Sequence, residues 1–303
     1  MTKLHKNGKL LLSGEYAVLD GATALAIPTH YGQKFIFGQN NNPGQLIWRA
    51  LDHNKALWFE AEYKLDALDI ISAHDNELAR ALQKVLRAAR SLNPNFLDAS
   101  QGFTAESHLE FPRSWGLGSS STLIAAIAQW SNTDAFQLSQ MSFGGSGYDI
   151  AAADSTGPFT YRIKKNAPEV VPTRLNWSFK NKLYFIHRNQ KQNSRQSIAH
   201  YRAHETRADF IQEISAITQD MINATSAEEF SALMTLHEQI IAQIIQMKPV
   251  KEELFGDFPG AIKSLGGWGG DFIMALDLEL GRQNIRDYFS QKGLPTVIDF
   301  DQM

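Results

Sequence analysis

The sequence predicts an α+β protein with two domains. The first third of the chain is rich in strand-like segments, a glycine loop precedes a helix near the middle, and two long helical patterns precede further strands. At 303 residues the chain is long enough for two hydrophobic cores. The polar stretch 164–172 contains two prolines and is the predicted linker, so the domains are placed at 1–165 and 166–303.

The N-terminal third is predicted to form strands. Lys9–Ser13 is a short apolar strand that continues into Gly14–Leu19, and Asp20-Gly21 is a turn signal. Further strands are predicted at 22–27, 33–37, 45–51 and 55–64. A helix follows at 75–93, with one apolar stripe along it and Pro94 just beyond its end.

A strand, a glycine loop and a helix follow one another in the middle of the chain. The predicted strand is 103–111, the loop is Pro112–Thr122, and the helix is 121–130. A second glycine loop, 142–153, opens a short helix, and a strand is predicted at 159–163. The remaining predictions are strands at 182–187, 272–276 and 296–300, a polar loop at 188–194, and helices at 197–223, 227–247 and 281–291. A third glycine cluster occupies 263–271.

Composition excludes several classes of protein. The net charge of −3 gives no basic footprint, so nucleic acid is not an expected partner. The chain has no cysteine, which excludes disulfides, thiolate metal sites and a cysteine nucleophile. No apolar run reaches membrane-spanning length, and Met1–Lys9 is too polar for a signal peptide. We therefore expect a cytoplasmic globular protein without a membrane partner.

The three glycine clusters indicate a phosphate site. Gly116 and Gly118 allow backbone N–H groups to converge at the start of a helix, where the helix dipole favours an anion. An ordinary capped helix after a glycine turn explains one cluster alone, but three clusters beside charged residues favour a grip on several phosphate oxygens. The sequence has no G-x-x-x-x-G-K-[ST] and no G-x-G-x-x-G after a strand, so a P-loop, a Rossmann site and a protein-kinase loop are not supported.

These residues resemble the GHMP kinases, the family of galactokinase, homoserine, mevalonate and phosphomevalonate kinases. Gly8–Leu19 resembles their first motif, Pro112–Ser121 their phosphate-binding second motif, and Lys263–Leu276 their third. The motifs occur in the family's order and span nearly the whole chain. The resemblance implies the two-domain GHMP kinase fold, with a ribosomal-protein-like first domain, a ferredoxin-like second domain, and ATP and Mg²⁺ as cofactors.

Within the family, phosphomevalonate kinases resemble this sequence most. Tyr16, the loop Gly145–Ala153 and the ending Gly269-Gly270-Asp271 match them, whereas mevalonate kinases usually carry His where Tyr16 stands. The decarboxylases of the same pathway usually have Ala where Gly118 stands. The compact length is closer to microbial mevalonate kinases. Phosphomevalonate is therefore the first expected acceptor and mevalonate the second, with homoserine, a sugar, or a non-catalytic binding protein as alternatives.

The resemblance also implies roles for individual residues. Asp149 is expected to orient the acceptor oxygen or take its proton, and Lys9 is the candidate cation beside it. Nucleotide binding is assigned to Pro112, Gly116, Leu117, Gly118, Ser119, Ser120 and Ser121, with Ser120 as the Mg²⁺ ligand. Acceptor binding is assigned to Glu15, Tyr16, Gly147, Tyr148, Arg195, Ser197, Gly267, Gly269 and Gly270.

Each role has a simpler alternative. Asp149 could merely cap a helix, Lys9 could be a solvated lysine before a strand, and Glu15 could be a buried carboxylate held by turn N–H groups. Arg195 suits a carboxylate or phosphate, but a solvated helix start is the competing explanation. His200 and His204 lie four residues apart on a predicted helix, yet no third metal ligand is in view.

Two departures from the family pattern stand out. Many relatives carry a second magnesium ligand, a Glu, before the position of Asp149, but the segment 136–142 contains no acid. Trp268 replaces a small residue and could stack on a base, close the acceptor pocket or fill the core. The sequence leaves a homodimer open.

Overall fold

The structure is a computed structural model that describes residues 1–190, 194–204, 207, 209–268 and 270–303, and at 194 and 195 it describes the backbone alone. The chain forms two compact units. The first contains residues 1–9, 31–113 and 117–155, and the second contains residues 10–30, 114–116 and 156–303. Both units are discontinuous in sequence, and the simpler division at residue 165 stays a prediction.

The first half of the chain holds six strands and four helices in the described residues. They are β1 (Thr2–Ser13), β2 (Ala24–Asn40), β3 (Gln45–Leu51), β4 (Leu57–Lys64), β5 (Asp69–Ala73), α1 (Asn76–Leu92), β6 (Gly102–Leu109), α2 (Ser119–Ser131), α3 (Ala135–Ser142) and α4 (Tyr148–Asp154).

The second half begins with a hairpin and then mixes helices with a small sheet. Its elements are β7 (Phe159–Lys164), β8 (Ala167–Pro172), β9 (Leu183–His187), α5 (Ser194–Arg202), α6 (Phe210–Asn223), α7 (Ala227–Ile245), α8 (Val250–Leu254), β10 (Ala261–Ser264), β11 (Phe272–Leu276), α9 (Arg282–Gln291) and β12 (Val297–Asp299). The α+β class predicted from the sequence is confirmed.

The sheet of the first unit is mixed. Strands β5, β4, β3, β6 and the later part of β2 are neighbours in that order, with β3 and β6 parallel and the other pairs antiparallel. Trp48 lies between Ala61 on one neighbouring strand and Ala105 on the other, so its ring has small cross-strand partners. Helices α1, α2 and α3 cover the sheet and bury one continuous apolar core.

Helix α1 begins and packs as its sequence predicts. Asp75 is its N-cap, and the carboxylate accepts the N–H groups of Glu77 and Leu78. The apolar stripe faces the core, where Val85 and Leu86 are fully buried. Because capping and periodicity agree here, both ends of the predicted helix lie within one residue of those observed.

The second unit contains a four-stranded antiparallel sheet in the order β10, β11, β9, β12. Ile285 and Phe289 of α9 pack against it together with Val250 of α8. Strand β7 pairs with the first residues of β2, Ala24–Ala26, and β8 forms the outer strand of this group. Every residue of β9 and β11 is buried, so these two strands form the middle of the core.

Several predicted elements differ from those observed. The predicted strands 22–27 and 33–37 are one strand, β2, which continues through Pro28. The predicted linker 164–172 instead contains β8, whose two prolines occupy an outer strand, where a missing N–H is tolerated. The predicted helix 197–223 is two helices, α5 and α6. Strands β5 and β10 and helices α3 and α8 were not predicted, because each is eight residues or shorter and has little periodicity.

Among the described residues, no helix is both long enough and apolar enough to span a bilayer.

Candidate active site

The glycine loop places a bare helix N-terminus in the first unit. Helix α2 begins at Ser119, and its N-cap, Gly118, has a φ of +94°. A Cβ at that position would lie 2.7 Å from Ser121 Oγ and 3.2 Å from Lys9 Cγ, so only glycine fits. Glycine also has no side chain with which to cap the first N–H groups of the helix. Those groups and the helix dipole make this turn suitable for an anion such as a phosphate.

Lys9 lies against this loop. Its backbone N–H donates to the carbonyl oxygen of Leu117 at 3.0 Å, which fixes β1 beside the loop. Its side chain crosses Gly118, and Nζ lies 5.7 Å from the centre of the Tyr148 ring at the start of α4. The ammonium group is therefore held between the glycine loop and α4.

Asp149 lies in the first turn of α4 and faces the same region. Its carboxylate accepts the N–H of Ile150 at 3.0 Å and hydrogen-bonds with Ser121, and Lys9 is its electrostatic partner. Desolvation raises the pKa of Asp149, and the positive charge of Lys9 lowers it again in part. Lys9, the glycine loop and Asp149 therefore form one cluster within the first unit.

The hydroxyl groups of the loop divide into structural and outward-facing ones. Ser121 Oγ donates to the carbonyl oxygen of Gly118 at 2.8 Å, and Thr122 Oγ1 contacts Gln33 Oε1 at 2.6 Å. Ser120 is exposed, and Ser119 is half-buried. Ser120 is thus the hydroxyl of this turn best placed for a metal ion or a phosphate. Leu117 is fully buried, so only its backbone can take part in binding.

Gly116 and Asp271 connect the second and third motifs within the second unit. Gly116 has a φ of +64°, and a Cβ there would lie 2.2 Å from Asp271 Oδ2. The preceding Trp115 packs edge-on against Phe272, with ring centres 5.6 Å apart. The carboxylate of Asp271 therefore lies close to the backbone of Gly116. Pro112 is half-buried.

The first and third motifs also meet in the second unit. Glu15 is 1% exposed and forms a salt bridge with the buried Lys263. The hydroxyl oxygen of the next residue, Tyr16, accepts the backbone N–H of Trp268 at 3.0 Å. Tyr16 also hydrogen-bonds with Ser197 and stacks on Tyr201, with ring centres 5.3 Å apart. Glu15 is thus a buried support behind Tyr16 and does not face solvent.

Other predicted site residues have varied surroundings. Gly147 is the N-cap of α4, Tyr148 and Gly267 are half-buried, and Gly270 is buried. Trp268 is 3% exposed, which favours the core-filling interpretation. Gly269 and the side chain of Arg195 lie outside the described residues.

The histidine pair on α5 does not form a metal site with other side chains. His200 Nε2 contacts the carbonyl oxygen of Ile245 at 2.8 Å, and His204 Nδ1 contacts the carbonyl oxygen of His200 at 2.8 Å. Across the part of the chain that the structure describes, no three His, Asp or Glu side chains are grouped as metal ligands require.

Sequence reasoning assigned no role to two buried ionisable residues on α7. His237 is fully buried, and Glu238 is 2% exposed. Glu238 lies four residues after Met234 and three before Ile241, so it falls on the apolar stripe of the helix. An acid at such a position predicts a buried partner, and here the carboxylate of Glu238 interacts with Lys263 and Ser264.

Comparison with solved structures identifies the fold. No family model and no curated protein matches the sequence. A mevalonate kinase structure aligns over 98% of this chain and 98% of its own, with 16% identity and a TM-score of 0.72. The Streptococcus pneumoniae phosphomevalonate kinase in complex with phosphomevalonate and AMPPNP covers 97% and 98%, with 14% identity and a TM-score of 0.71. The Lactococcus lactis galactokinase complexed with galactose covers 98% and 93%, with 13% identity and a TM-score of 0.67.

The chain has the GHMP kinase fold. The alignments cover nearly the whole chain, so the two-domain fold implied by the three motifs is confirmed. At 13–16% identity the comparisons do not assign a substrate.

Proposed function

We propose that this GHMP-fold protein is an ATP-dependent small-molecule kinase, with phosphomevalonate as its first expected acceptor and mevalonate as its second. The observation that carries the proposal is the cluster in the first unit. A cation, a bare helix N-terminus and a carboxylate lie together there, at Lys9, Ser119 and Asp149. The structural neighbours include a mevalonate kinase and a phosphomevalonate kinase, which supports this acceptor class.

In this proposal the first turn of α2 binds the phosphates of ATP. Backbone N–H groups and the helix dipole stabilise their negative charge without reorganising during the reaction. Lys9 supplies a positive charge beside the phosphoryl group in transfer. Asp149 orients the acceptor oxygen, or takes the hydroxyl proton if the acceptor is an alcohol.

Magnesium fits the donor set of this loop in part. Mg²⁺ prefers oxygen ligands and usually keeps several waters beside one or two protein groups and the phosphates. The exposed hydroxyl of Ser120 is suited to be one such ligand. Helix α3 contains no acid that could supply a second, so we assign Ser120 alone. When bound, the ion would neutralise charge on the transferring phosphoryl group.

In the second unit, Tyr16, Ser197, Gly267 and Gly270 are proposed to bind the acceptor. Gly147, Tyr148, Arg195 and Gly269 stay predictions of acceptor binding. Tyr16 offers a ring face and a hydroxyl within a fixed hydrogen-bond network, which suits a small molecule with both apolar and polar parts. A cytoplasmic location and a homodimer likewise remain expectations.

A panel of acceptors tests the proposed function. ADP release is measured with ATP and Mg²⁺ in the presence of phosphomevalonate, mevalonate, homoserine, galactose or no acceptor. We expect turnover with phosphomevalonate or mevalonate and at most slow ATP hydrolysis without an acceptor. Turnover with galactose or homoserine alone would reassign the substrate. Absence of turnover with every acceptor, together with retained ATP binding, would favour a GHMP-fold binding protein.

A further inference from the structure

Four ionisable side chains are buried together in the second unit, and the proposed phosphoryl transfer uses none of them directly. Glu15, His237, Glu238 and Lys263, called here the Glu238 cluster, are between 0% and 2% exposed. Buried charges require partners, and their arrangement constrains the elements that carry them. The cluster connects the turn after β1, helix α7 and strand β10.

Glu238 joins three elements through its two carboxylate oxygens. Oε1 accepts the N–H of Val250 at 3.2 Å, at the start of α8, and the hydroxyl of Ser264 at 2.9 Å. Oε2 accepts the backbone N–H of Ser264 at 3.0 Å. Glu238 thereby fixes Ser264, the last residue of β10, which lies within the third motif directly before the loop Leu265–Trp268.

Lys263 connects the end of β10 with Glu15 of the first motif. Its Nζ donates to Glu15 Oε1 and to the carbonyl oxygen of Ser264 at 2.9 Å. The residue after Glu15 is Tyr16, which has a φ of +60°, an uncommon conformation for a residue with a side chain. Surrounding contacts must hold this conformation, and the salt bridge between the preceding residue, Glu15, and Lys263 is one of them.

His237 completes the cluster as a neutral acceptor. Its Nε2 accepts the backbone N–H of Gly14 at 3.0 Å, and burial holds the pKa of the imidazole well below its usual value. Nε2 therefore carries no proton for Glu15 Oε2, which lies 3.3 Å away. Lys263 remains the hydrogen-bonding partner of the Glu15 carboxylate within the cluster.

The loop between Ser264 and Trp268 is thus held at both ends. Glu238 binds the Ser264 end, and the Tyr16 hydroxyl binds the backbone N–H of Trp268. Lys263 and Glu15 connect these two attachment points. We propose that Glu238 is a positioning residue that sets the placement of Tyr16 and of the loop Leu265–Trp268 for acceptor binding. The inference rests on the proposed function for its kinetic consequence, whereas its structural consequence can be measured without turnover.

The charges around Glu238 make this placement sensitive to pH. The pKa of Glu238 is raised to about 7. Desolvation is the largest cause and the charge of Glu15 adds to it, whereas Lys263 and the hydrogen bonds from Ser264 and Val250 act in the opposite direction. Burial also raises the pKa of the Glu15 carboxyl, and the charge of Lys263 and its hydrogen bond lower it in part. The pKa of Tyr16 is raised and His237 is neutral, so neither of these two groups changes charge near pH 7. Arg188 faces Glu238 and Glu253 as a permanent cation. Near pH 7 Glu238 therefore changes charge, and the attraction of Lys263 to it changes as well.

A spectroscopic test uses Trp268 as the reporter. The protein is labelled with 5-fluorotryptophan, and the Trp268 resonance is assigned by its loss in Trp268→Phe. We expect this ¹⁹F resonance to shift with a midpoint near pH 7 in the native protein and to be constant in Glu238→Gln. Ser264→Ala removes a hydrogen bond to the charged carboxylate, so the midpoint is expected at higher pH.

A kinetic test follows in the same variants. Glu238→Gln is expected to lower kcat/KM for the acceptor by about 10- to 100-fold, while KM for ATP changes less than about twofold. Asp277→Asn is the matched control, because Asp277 is a buried carboxylate of the same unit that accepts the N–H groups of Glu279, Leu280 and Gly281 instead. It is expected to change stability but neither the Trp268 resonance nor the acceptor KM.

The outcomes separate the inference from the proposed function. The positioning role is overturned if the Trp268 resonance does not change with pH, or if it titrates in Glu238→Gln as it does in the native protein. This holds even if the kinase is active. A resonance that titrates as expected in a protein that phosphorylates no acceptor supports the linkage and overturns the proposed function. Equal effects of Glu238→Gln and Asp277→Asn on both readouts would reduce Glu238 to a structural residue.

Discussion

Backbone contacts fix the positions of Asp149 and Lys9. Lys9 is fixed by its N–H bond to Leu117, and Asp149 is fixed in the first turn of α4. The sequence indicated both roles through the resemblance to the GHMP kinase motifs. Asp149 also follows a glycine turn, which has a strong sequence signal, whereas Lys9 lies inside β1.

Replacement of Asp149 by Asn is expected to distinguish the two acceptors. With mevalonate, a hydroxyl must lose its proton, so kcat should fall by about 10²- to 10⁴-fold. With phosphomevalonate, whose phosphate is largely ionised at neutral pH, the loss should be smaller than about 10²-fold. ADP release at saturating substrate measures both. Asp134→Asn is the control, because Asp134 caps α3 and asparagine caps equally well; full activity of Asp149→Asn would remove this residue from the mechanism.

Ser120→Ala should weaken the response to magnesium. The hydroxyl is exposed on the first turn of α2, and its loss removes one oxygen ligand, a cost of about 1 kcal/mol or several-fold in apparent affinity. Titration of ADP release with MgCl₂ at fixed ATP measures the change. Ser91→Ala serves as the comparison, because the hydroxyl of Ser91 lies on α1 and donates to the carbonyl oxygen of Ala88 in the same helix. An unchanged magnesium midpoint in Ser120→Ala would contradict the assignment.

The glycine loop and α2 act as one element, and Gly118 joins them. Ala at this position would combine a φ of +94° with a contact 2.7 Å from Ser121 Oγ, so the loop would shift. We expect Gly118→Ala to lower stability by about 1–3 kcal/mol and to weaken ATP binding at least tenfold. Isothermal titration with AMPPNP and urea unfolding measure the two effects.

Gly281 provides a matched comparison for this element. It is the N-cap of α9 with a φ of +78°, and an added Cβ would meet nothing within 4 Å. Gly281→Ala therefore carries the backbone penalty without the steric conflict and lies on a different helix. If both variants bound AMPPNP like the native protein, the first turn of α2 would not be the phosphate site.

The elements predicted correctly from the sequence are those whose ends and faces depend on local signals such as caps and apolar periodicity. Helix α1 was predicted almost to the residue because Asp75 caps it and its apolar stripe is regular. Strand β8 was mistaken for a linker because its prolines suggest a loop, and only the pairing with β7 shows that it is a strand. Helix α3 escaped prediction because eight residues carry too little periodicity.

At the scale of the whole molecule, the three motifs were predictable but the buried ionic contacts were not. Glycine turns and their order along the chain are visible in the sequence. The pairing of Glu15 with Lys263 joins residues 248 positions apart, and no local pattern encodes it. Glu238 gave a weak signal as an acid on an apolar stripe, but its partners lie on α8 and β10. Long-range electrostatics is therefore the part of the site that required coordinates.

The same buried groups make stability depend on pH in a specific way. Burial raises the folded-state pKa of Glu238 to about 7 from 4.5, so its contribution is fully present below pH 4.5 and is lost as pH rises through 7. His237 acts in the opposite sense: its folded-state pKa lies well below 6.5, so its contribution is present above 6.5 and is lost as pH falls. The two contributions oppose each other between pH 4.5 and 6.5 in the native protein.

Glu238→Gln should remove the Glu238 contribution to the pH dependence of stability and leave that of His237. The difference in unfolding free energy, variant minus native, is expected to rise by about 3 kcal/mol between pH 4.5 and 8, because the native protein alone loses the Glu238 contribution. Below pH 6.5 the variant should therefore lose stability on acidification more steeply than the native protein. Urea unfolding at half-unit pH intervals measures both curves. A variant curve parallel to the native one would show that Glu238 stays ionised throughout, and Lys263 would then have to balance both carboxylates at every pH.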